Sequence, residues 1–372
     1  MHYPDILNKA VNDQEISFDE GVYLYKEAPL EALQEAANQI RIKKTNPSEV
    51  TYLIDRNINY TNVCITNCKF CNFYRTGDHE GAYVLSKDIL RQKIEETIAV
   101  GGTRILMQGG HHPDLKLDWY LDILSWLRKE FPSIELDCFS PSEIDNLCVL
   151  ENQDAETILK ALIGAGLQGL PGGGAELLDD EIRQKVSPKK ISGPRWLEIM
   201  EIAHKLGLKT SSSMVIGFGE KVENRIKHFQ LLRDQQKESL KKYNNAFIAF
   251  IAWPLQYELT PLGKQSQNEG KLGATKEDYL RNLAMARIFL NPYYTNIQAS
   301  WPTMGFKVAQ EALSYGANDF GSTMLEENVV SQASTKTHKY ILVDDICKLI
   351  TEAGYTPIQR VTDYSKAQSS HS

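Results

Sequence analysis

The strongest constraint on this chain is an alternation. From about residue 50 onward, short runs rich in β-branched and aromatic residues recur, each followed by a loop and an amphipathic helical pattern. The strand candidates are 50–58 (VTYLIDRNI), 104–108 (RILMQ), 134–139 (IELDCF), 167–171 (LQGLP), 209–217 (KTSSSMVIG), 246–252 (AFIAFIA), 294–300 (YTNIQAS) and a short 318–321 (NDFG). Helical patterns lie between them, such as 86–102, which ends in glycines, 119–131 and 194–208. The strands are apolar without strict alternation, as parallel strands covered by helices are. The repetition predicts an α/β fold, a complete or near-complete (βα)8 barrel over 49–335. A doubly wound open sheet would alternate too, but no dinucleotide fingerprint follows the first strand. In a barrel, the loops after the strands carry the functional groups.

Residues 15–28 and 30–44 carry apolar residues at helical spacing, so 1–48 reads as a helical segment packed on the barrel. The tail, 336–372, reads as a helix and a short strand forming a C-terminal extension, with the last residues frayed. A net charge of −7 argues against a general nucleic-acid surface. The N-terminus has early acids and no apolar core of a secretory signal. The longest nearly apolar run, 246–255, falls far short of the roughly 18–20 residues of a membrane span. The expectation is a cytoplasmic protein without nucleic-acid or membrane partners.

In a reducing compartment, clustered cysteines are more often metal ligands or catalysts than disulfides. The stretch NVCITNCKFCNFYR (62–75) places Cys64, Cys68 and Cys71 in the spacing Cys-x3-Cys-x2-Cys, directly after the first strand. Iron–sulfur clusters are held by cysteine thiolates, usually four. Three thiolates on a [4Fe–4S] cube leave one iron open for a ligand, just as a catalytic zinc keeps one position free. A structural zinc would want a fourth Cys or His nearby. His79 is close enough in sequence that a zinc-stapled, non-enzymatic scaffold stays open on spacing alone. Cys138, Cys148 and Cys347 are scattered and read as buried inert thiols.

With Phe70 just before the third cysteine, this loop resembles the signature of the radical S-adenosylmethionine enzymes. The resemblance implies a [4Fe–4S] cluster whose open iron takes the amino and carboxylate groups of S-adenosyl-L-methionine. The reduced cluster then splits that cofactor to a 5′-deoxyadenosyl radical. It also implies backbone contacts from Asn72 and Phe73 to the adenine. The segment 107–115 (MQGGHHPDL) reads by itself as a tight turn, and is similar to the family's segment for the methionine amino group. Here that maps to Gln108, Gly109 and Gly110. This chain has His111 where many members have Glu, so the contact falls mostly to backbone. His111 and His112 are either proton carriers near neutral pH or packed and exposed histidines.

In 170–178 (LPGGGAELL), Glu176 reads as a carboxylate in a helix's first turn, where the dipole favours it. The resemblance implies instead a grip on the ribose of the cofactor. The segment 211–220 (SSSMVIGFGE) resembles the adenine-contacting strand end, with Met214, Val215 and Ile216 as apolar packing. Ser140 and Glu143 form a Ser-x-x-Glu capping pattern, and Ser140 also falls on the cofactor face. Asn318, Asp319 and Thr323 near the last strand are candidate substrate contacts. The aromatic stretch 253–262 is a pocket wall, a lid or core.

Over about 15–365, QGGHHPDL, LPGGGAEL, SPKKIS (187–192) and NDFGSTMLEENV are similar to the menaquinone-pathway enzymes that act on futalosine derivatives. The Gln-Gly-Gly and Ser-Pro-Lys-Lys features resemble the cyclising group more than its sister group, the aminofutalosine synthases, or the deazaflavin-type and thiazole-type synthases. This implies dehypoxanthine futalosine as the small-molecule substrate, abstraction of its ribose 4′ hydrogen and ring closure onto the benzoate. The implied base is His111, His112 or an acid such as Asp319. The implied electron donor is a flavodoxin or ferredoxin.

Overall fold

The computed structural model describes residues 1–265, 272–335, 337 and 340–367. Ten strands form one sheet: β1 Glu49–Leu53, β2 Asp55–Ile58, β3 Arg104–Met107, β4 Glu135–Cys138, β5 Gly169–Leu170, β6 Lys209–Ile216, β7 Phe247–Pro254, β8 Asn296–Gln298, β9 Asp319–Ser322 and β10 Thr356–Gln359. Every pairing is parallel, in the order β10-β1-β9-β8-β7-β6-β5-β4-β3-β2. Parallel neighbours need long crossovers, and helices supply them.

The expected first strand, 50–58, is two strands joined at Ile54. Its first half pairs with β9 and β10, and its second half pairs with β3. One kinked segment therefore belongs to both ends of the sheet, which curls until they meet. The seam continues past β9, where the Thr323 N–H donates to the Leu53 carbonyl (3.0 Å) and the Leu325 N–H to that of Asp55 (3.2 Å). Counting β1 and β2 as one strand gives eight positions round the sheet, with β10 added beside β1. This is the α/β architecture expected from the alternation.

The fourth expected strand, 167–171, contracts to Gly169–Leu170. Gly169 is required there, because a Cβ would fall 2.3 Å from Asp137 Oδ1. Pro171 has no N–H to continue the ladder. Within the helical segment 1–48, where the apolar spacing marks 15–28 and 30–44, a further helix stands at Tyr3–Val11. It is short, opens with a proline, and buries only Ile6, Leu7 and Ala10. Helix Leu30–Lys44 packs against helix Lys276–Phe289, which the Thr275–Asp278 capping box starts. Trp196 is fully buried and stacks on Phe247 at 5.9 Å between ring centres. A fully buried apolar side chain of this kind contributes roughly 1.5–3 kcal/mol. Among the described residues, no helix is long and apolar enough to cross a membrane.

Candidate active site

The cysteine loop leaves β2 at the C-terminal end of the sheet and is tied down on several sides. The Cys64 N–H donates to the Arg75 carbonyl (3.1 Å), Ile65 N–H to His111 (3.1 Å) and Lys69 N–H to Val186 (2.9 Å). The Arg75 guanidinium gathers the carbonyls of Asn72, Phe73 and Tyr74 at 3.0, 3.3 and 2.8 Å. The three cysteines are unpaired and line a single cavity of about 430 Å³ that runs down the barrel axis. Cys64 and Cys68 converge on one hydroxyl, Thr66 Oγ1, at 2.9 and 3.7 Å. Burial pushes the Cys68 thiol up to about 11, against the pull of Lys190. Burial raises Cys71 as well, opposed by the N–H groups of Phe73 and Tyr74. Three soft donors lining one cavity, with the N–H groups of Phe73 and Tyr74 toward Cys71, are of the chemistry that an iron–sulfur cluster takes, and the metal would hold the thiolates deprotonated. His79 does not complete a zinc site: its Nδ1 accepts the Gly81 N–H in its own turn (2.9 Å).

The turn after β3 presses against this loop. A Cβ on Gly110 would fall 2.2 Å from the Val63 carbonyl oxygen and 2.8 Å from Cys64 Cβ. A Cβ on Gly109 would strike the Tyr60 ring at 2.5 Å. The Gly109 N–H donates to Glu143 Oε1 (3.0 Å), which also accepts the Tyr60 hydroxyl (2.9 Å), while Ser140 Oγ donates to Oε2 (2.8 Å). Ser140 is the N-cap of Pro141–Glu151, as the capping pattern predicts, and it also lines the cavity. Glu143 does more than cap. It is a buried acid that fixes the glycine turn, and burial raises it to about 7 against its donors.

Gln108 lines the cavity while its Nε2 donates to the Phe139 carbonyl (2.9 Å). Its neighbour His111 also lines the cavity. Burial, reinforced by Lys190, lowers it to about 3, so the imidazole is neutral. His112 lies off the cavity lining, and its Nδ1 accepts the Asp114 N–H (3.1 Å).

Glu176 stands before the helix Asp180–Val186 and not in its first turn, with φ 39°. The helix-dipole reading is thereby corrected: cations hold this carboxylate. Lys190 Nζ lies 2.5 Å from Oε1, and Arg183 Nη1 lies 3.4 Å from Oε2. Burial opposes its charge, but the two cations win and lower its pKa. Lys190, whose motif 187–192 had no assigned role, lines the cavity with the cysteines.

Several expected positions fall elsewhere. Phe70 and Phe73 line the cavity, but Asn72 turns to the Gln332 carbonyl (2.9 Å). On β6, Val215 lines the cavity, whereas Met214 and Ile216 are fully buried on the opposite face. Strand alternation forbids all three from sharing one face, which corrects the expected adenine contacts. Asp319 begins β9 and is held by Arg360 at 2.6 and 3.1 Å, by Thr51 Oγ1 at 2.6 Å and by the Gly321 N–H. It lies off the cavity lining, so its geometry is that of a buried ion pair and not of a free base. Asn318 is bonded to Arg287 and Ile297, and Thr323 to Asp55. Sequence reasoning missed Asn57 and Gln298. Both line the cavity, and among the described residues neither side chain has a hydrogen-bond partner.

Known proteins resemble this chain along nearly its whole length. Residues 58–232 match the Radical SAM superfamily, and residues 244–372 match the CofH/MqnC C-terminal region. A cyclic dehypoxanthine futalosine synthase of Halalkalibacterium halodurans is 44% identical, covering 98% of this chain and 95% of that one. One from Streptomyces coelicolor is 41% identical over 96% and 87%. A 5-amino-6-(D-ribitylamino)uracil–L-tyrosine 4-hydroxyphenyl transferase of Methanococcoides burtonii is 36% identical over 97% and 98%. The crystal structure of a methylornithine synthase shares the fold, with a TM-score of 0.70 at 17% identity over 95% and 97% of the two chains. The chain belongs to the radical S-adenosylmethionine superfamily of enzymes and carries the CofH/MqnC type of C-terminal region.

Proposed function

We propose that this enzyme cyclises dehypoxanthine futalosine to cyclic dehypoxanthinyl futalosine, in menaquinone biosynthesis. The observation that carries the reading is the near-full-length similarity to two proteins of that name, at higher identity than to the hydroxyphenyl transferase. As a radical S-adenosylmethionine enzyme, the protein uses a [4Fe–4S] cluster and S-adenosylmethionine. When bound, they supply the 5′-deoxyadenosyl radical that removes a hydrogen from substrate.

The chain's own groups then have distinct tasks. Cys64, Cys68 and Cys71 hold the cluster, and the turn at Gln108, Gly109 and Gly110 offers backbone to the methionine end of the cofactor. Glu176 and Val215 face its nucleoside half. Deeper in the cavity, the unpaired amides of Asn57 and Gln298 suit the hydroxyls of a sugar. Leu106, Ile251, Trp253 and Met324 provide apolar wall that excludes water. Adding a carbon radical to an arene leaves one electron and one proton to remove; the electron would return to the oxidised cluster, and the proton needs a base. His111 is neutral and faces the cavity, while His112 is turned away and Asp319 is paired with Arg360. Of the three, His111 alone lines the cavity and is the proposed proton acceptor by position, although burial and Lys190 lower its basicity; a flavodoxin or ferredoxin is the proposed electron donor.

Reduced, reconstituted protein given dehypoxanthine futalosine and S-adenosylmethionine should release 5′-deoxyadenosine and a cyclised product, read by mass spectrometry. Parallel incubation with L-tyrosine and 5-amino-6-(D-ribitylamino)uracil should give no adduct. Coupling in the second mixture and none in the first would replace this reading with the transferase. In a third incubation with an enol ether of the benzoate in place of dehypoxanthine futalosine, an adduct retaining the deoxyadenosyl group would indicate the aminofutalosine synthase reaction.

A further inference from the structure

We propose that Lys190 is the counter-charge of the iron–sulfur cluster and holds its reduction potential up. The inference rests on the cofactor reading above and concerns the protein's control over it.

Lys190 follows the helix Asp180–Val186, whose last residue accepts the Lys69 N–H at 2.9 Å. That bond docks the middle of the cysteine loop against the segment carrying Lys190. The ammonium lies 5.7 Å from the ring centre of Phe70, the residue just before Cys71. Its side chain is only 14% exposed and lines the same cavity as the three thiols.

The charge balance at this place is unusual. One carboxylate, Glu176, is shared by two cations, Lys190 at 2.5 Å and Arg183 at 3.4 Å. Arg183 is also bound to the carbonyls of Ala175 and Ile191, both at 2.6 Å, so it stays in place without Lys190. Glu176, Lys190 and Arg183 together carry one surplus positive charge beside three thiolates; Asp180, 3.9 Å from Arg183 Nε, is 47% exposed, so water screens its charge. An iron–sulfur cluster gains one negative charge on reduction. A buried cation stabilises the reduced form more than the oxidised one, because attraction in a low-dielectric site is screened little. Nearby charge is one of the levers that set such potentials.

The test is a potentiometric titration of the anaerobically reconstituted protein without S-adenosylmethionine, following the electron paramagnetic resonance signal of the reduced cluster. Lys190→Met should move the midpoint to a more negative value, and Lys190→Arg should leave it near that of the wild type. Glu176→Gln removes a negative charge from the same trio and should move the midpoint the other way. Iron and sulfide content reports cluster loading in each variant. Should Lys190→Met fail to take up cluster, Glu176→Gln alone decides, and an unmoved midpoint there overturns the proposal. Equal midpoints in fully loaded wild type, Lys190→Met and Glu176→Gln overturn it too, and would confine Lys190 to ligand binding. A loaded, redox-active wild type that forms no cyclised product refutes the proposed reaction while the shifts still support the role of Lys190.

Discussion

At the scale of single residues, the site depends on where atoms are missing as much as on where they are. Gly110 leaves room that the Val63 carbonyl and Cys64 Cβ already fill, so the β3 turn and the cysteine loop touch through backbone. Backbone oxygen cannot swing aside as a flexible side chain can. Gly110→Ala should therefore displace the loop, destabilising the fold by about 1–3 kcal/mol and lowering iron content after reconstitution. Gly164, in the helix Ala155–Ala165, is the control, since a Cβ there meets nothing within 4 Å. Gly164→Ala should stabilise by about 0.4–1 kcal/mol and leave iron content unchanged. Urea denaturation and iron analysis check both, and a Gly110→Ala variant with native stability and full iron would show that the close approach is not needed. The cysteines were legible beforehand because the loop is local: three ligands within eight positions need no knowledge of the fold. Lys190 was not legible as a partner of those thiols, because only the folded chain brings residue 190 to residue 68.

At the scale of elements, the strand segments were readable from composition, but the direction of each side chain was not. The motif 211–220 offered Met214, Val215 and Ile216 as one contact set, and the two-residue period of β6 splits them. Parallel strands buried on both faces carry apolar residues on both, so no polarity pattern marks which face is the cavity. The kink at Ile54 was hidden for a related reason: both halves of 50–58 look like strand, and only the neighbours differ. The parity has a measurable consequence. Met214→Ala should open a core cavity and destabilise by about 2–5 kcal/mol, with little effect on S-adenosylmethionine binding. Val215→Ala should do the reverse, weakening cofactor binding in calorimetry while moving the denaturation midpoint little. If Met214→Ala weakens binding more than Val215→Ala does in folded protein, the assignment of faces is wrong.

At the scale of the whole molecule, the barrel is completed by its tail. Strand β10 lies along β1, and the next residue, Arg360, donates its N–H to the Tyr52 carbonyl (2.9 Å). Its guanidinium reaches Asp319 and lies 3.8 Å from the Tyr364 ring centre. Thr362 N–H donates to Glu135 Oε2 (3.1 Å), tying the same segment to β4. The final described stretch thus closes the lower end of the cavity, which Arg360, Thr362 and Tyr364 line. No local pattern could announce a pair between strands as far apart in the chain as β9 and the end of β10. Both partners are almost wholly buried, with side chains 3% and 0% exposed. Removing one charge of such a pair strands the other in a low-dielectric interior, whereas removing both does not. Arg360→Leu should therefore destabilise by about 3–5 kcal/mol. The double variant Arg360→Leu/Asp319→Leu should recover much of that loss, and a double-mutant cycle in urea measures the coupling. The same double variant also separates structure from chemistry at Asp319. If it folds, loads cluster and still forms cyclised product, the carboxylate takes no part in proton transfer. If it folds and loads cluster but yields only uncyclised substrate, while folded Arg360→Leu alone still cyclises it, Asp319 returns as a candidate base.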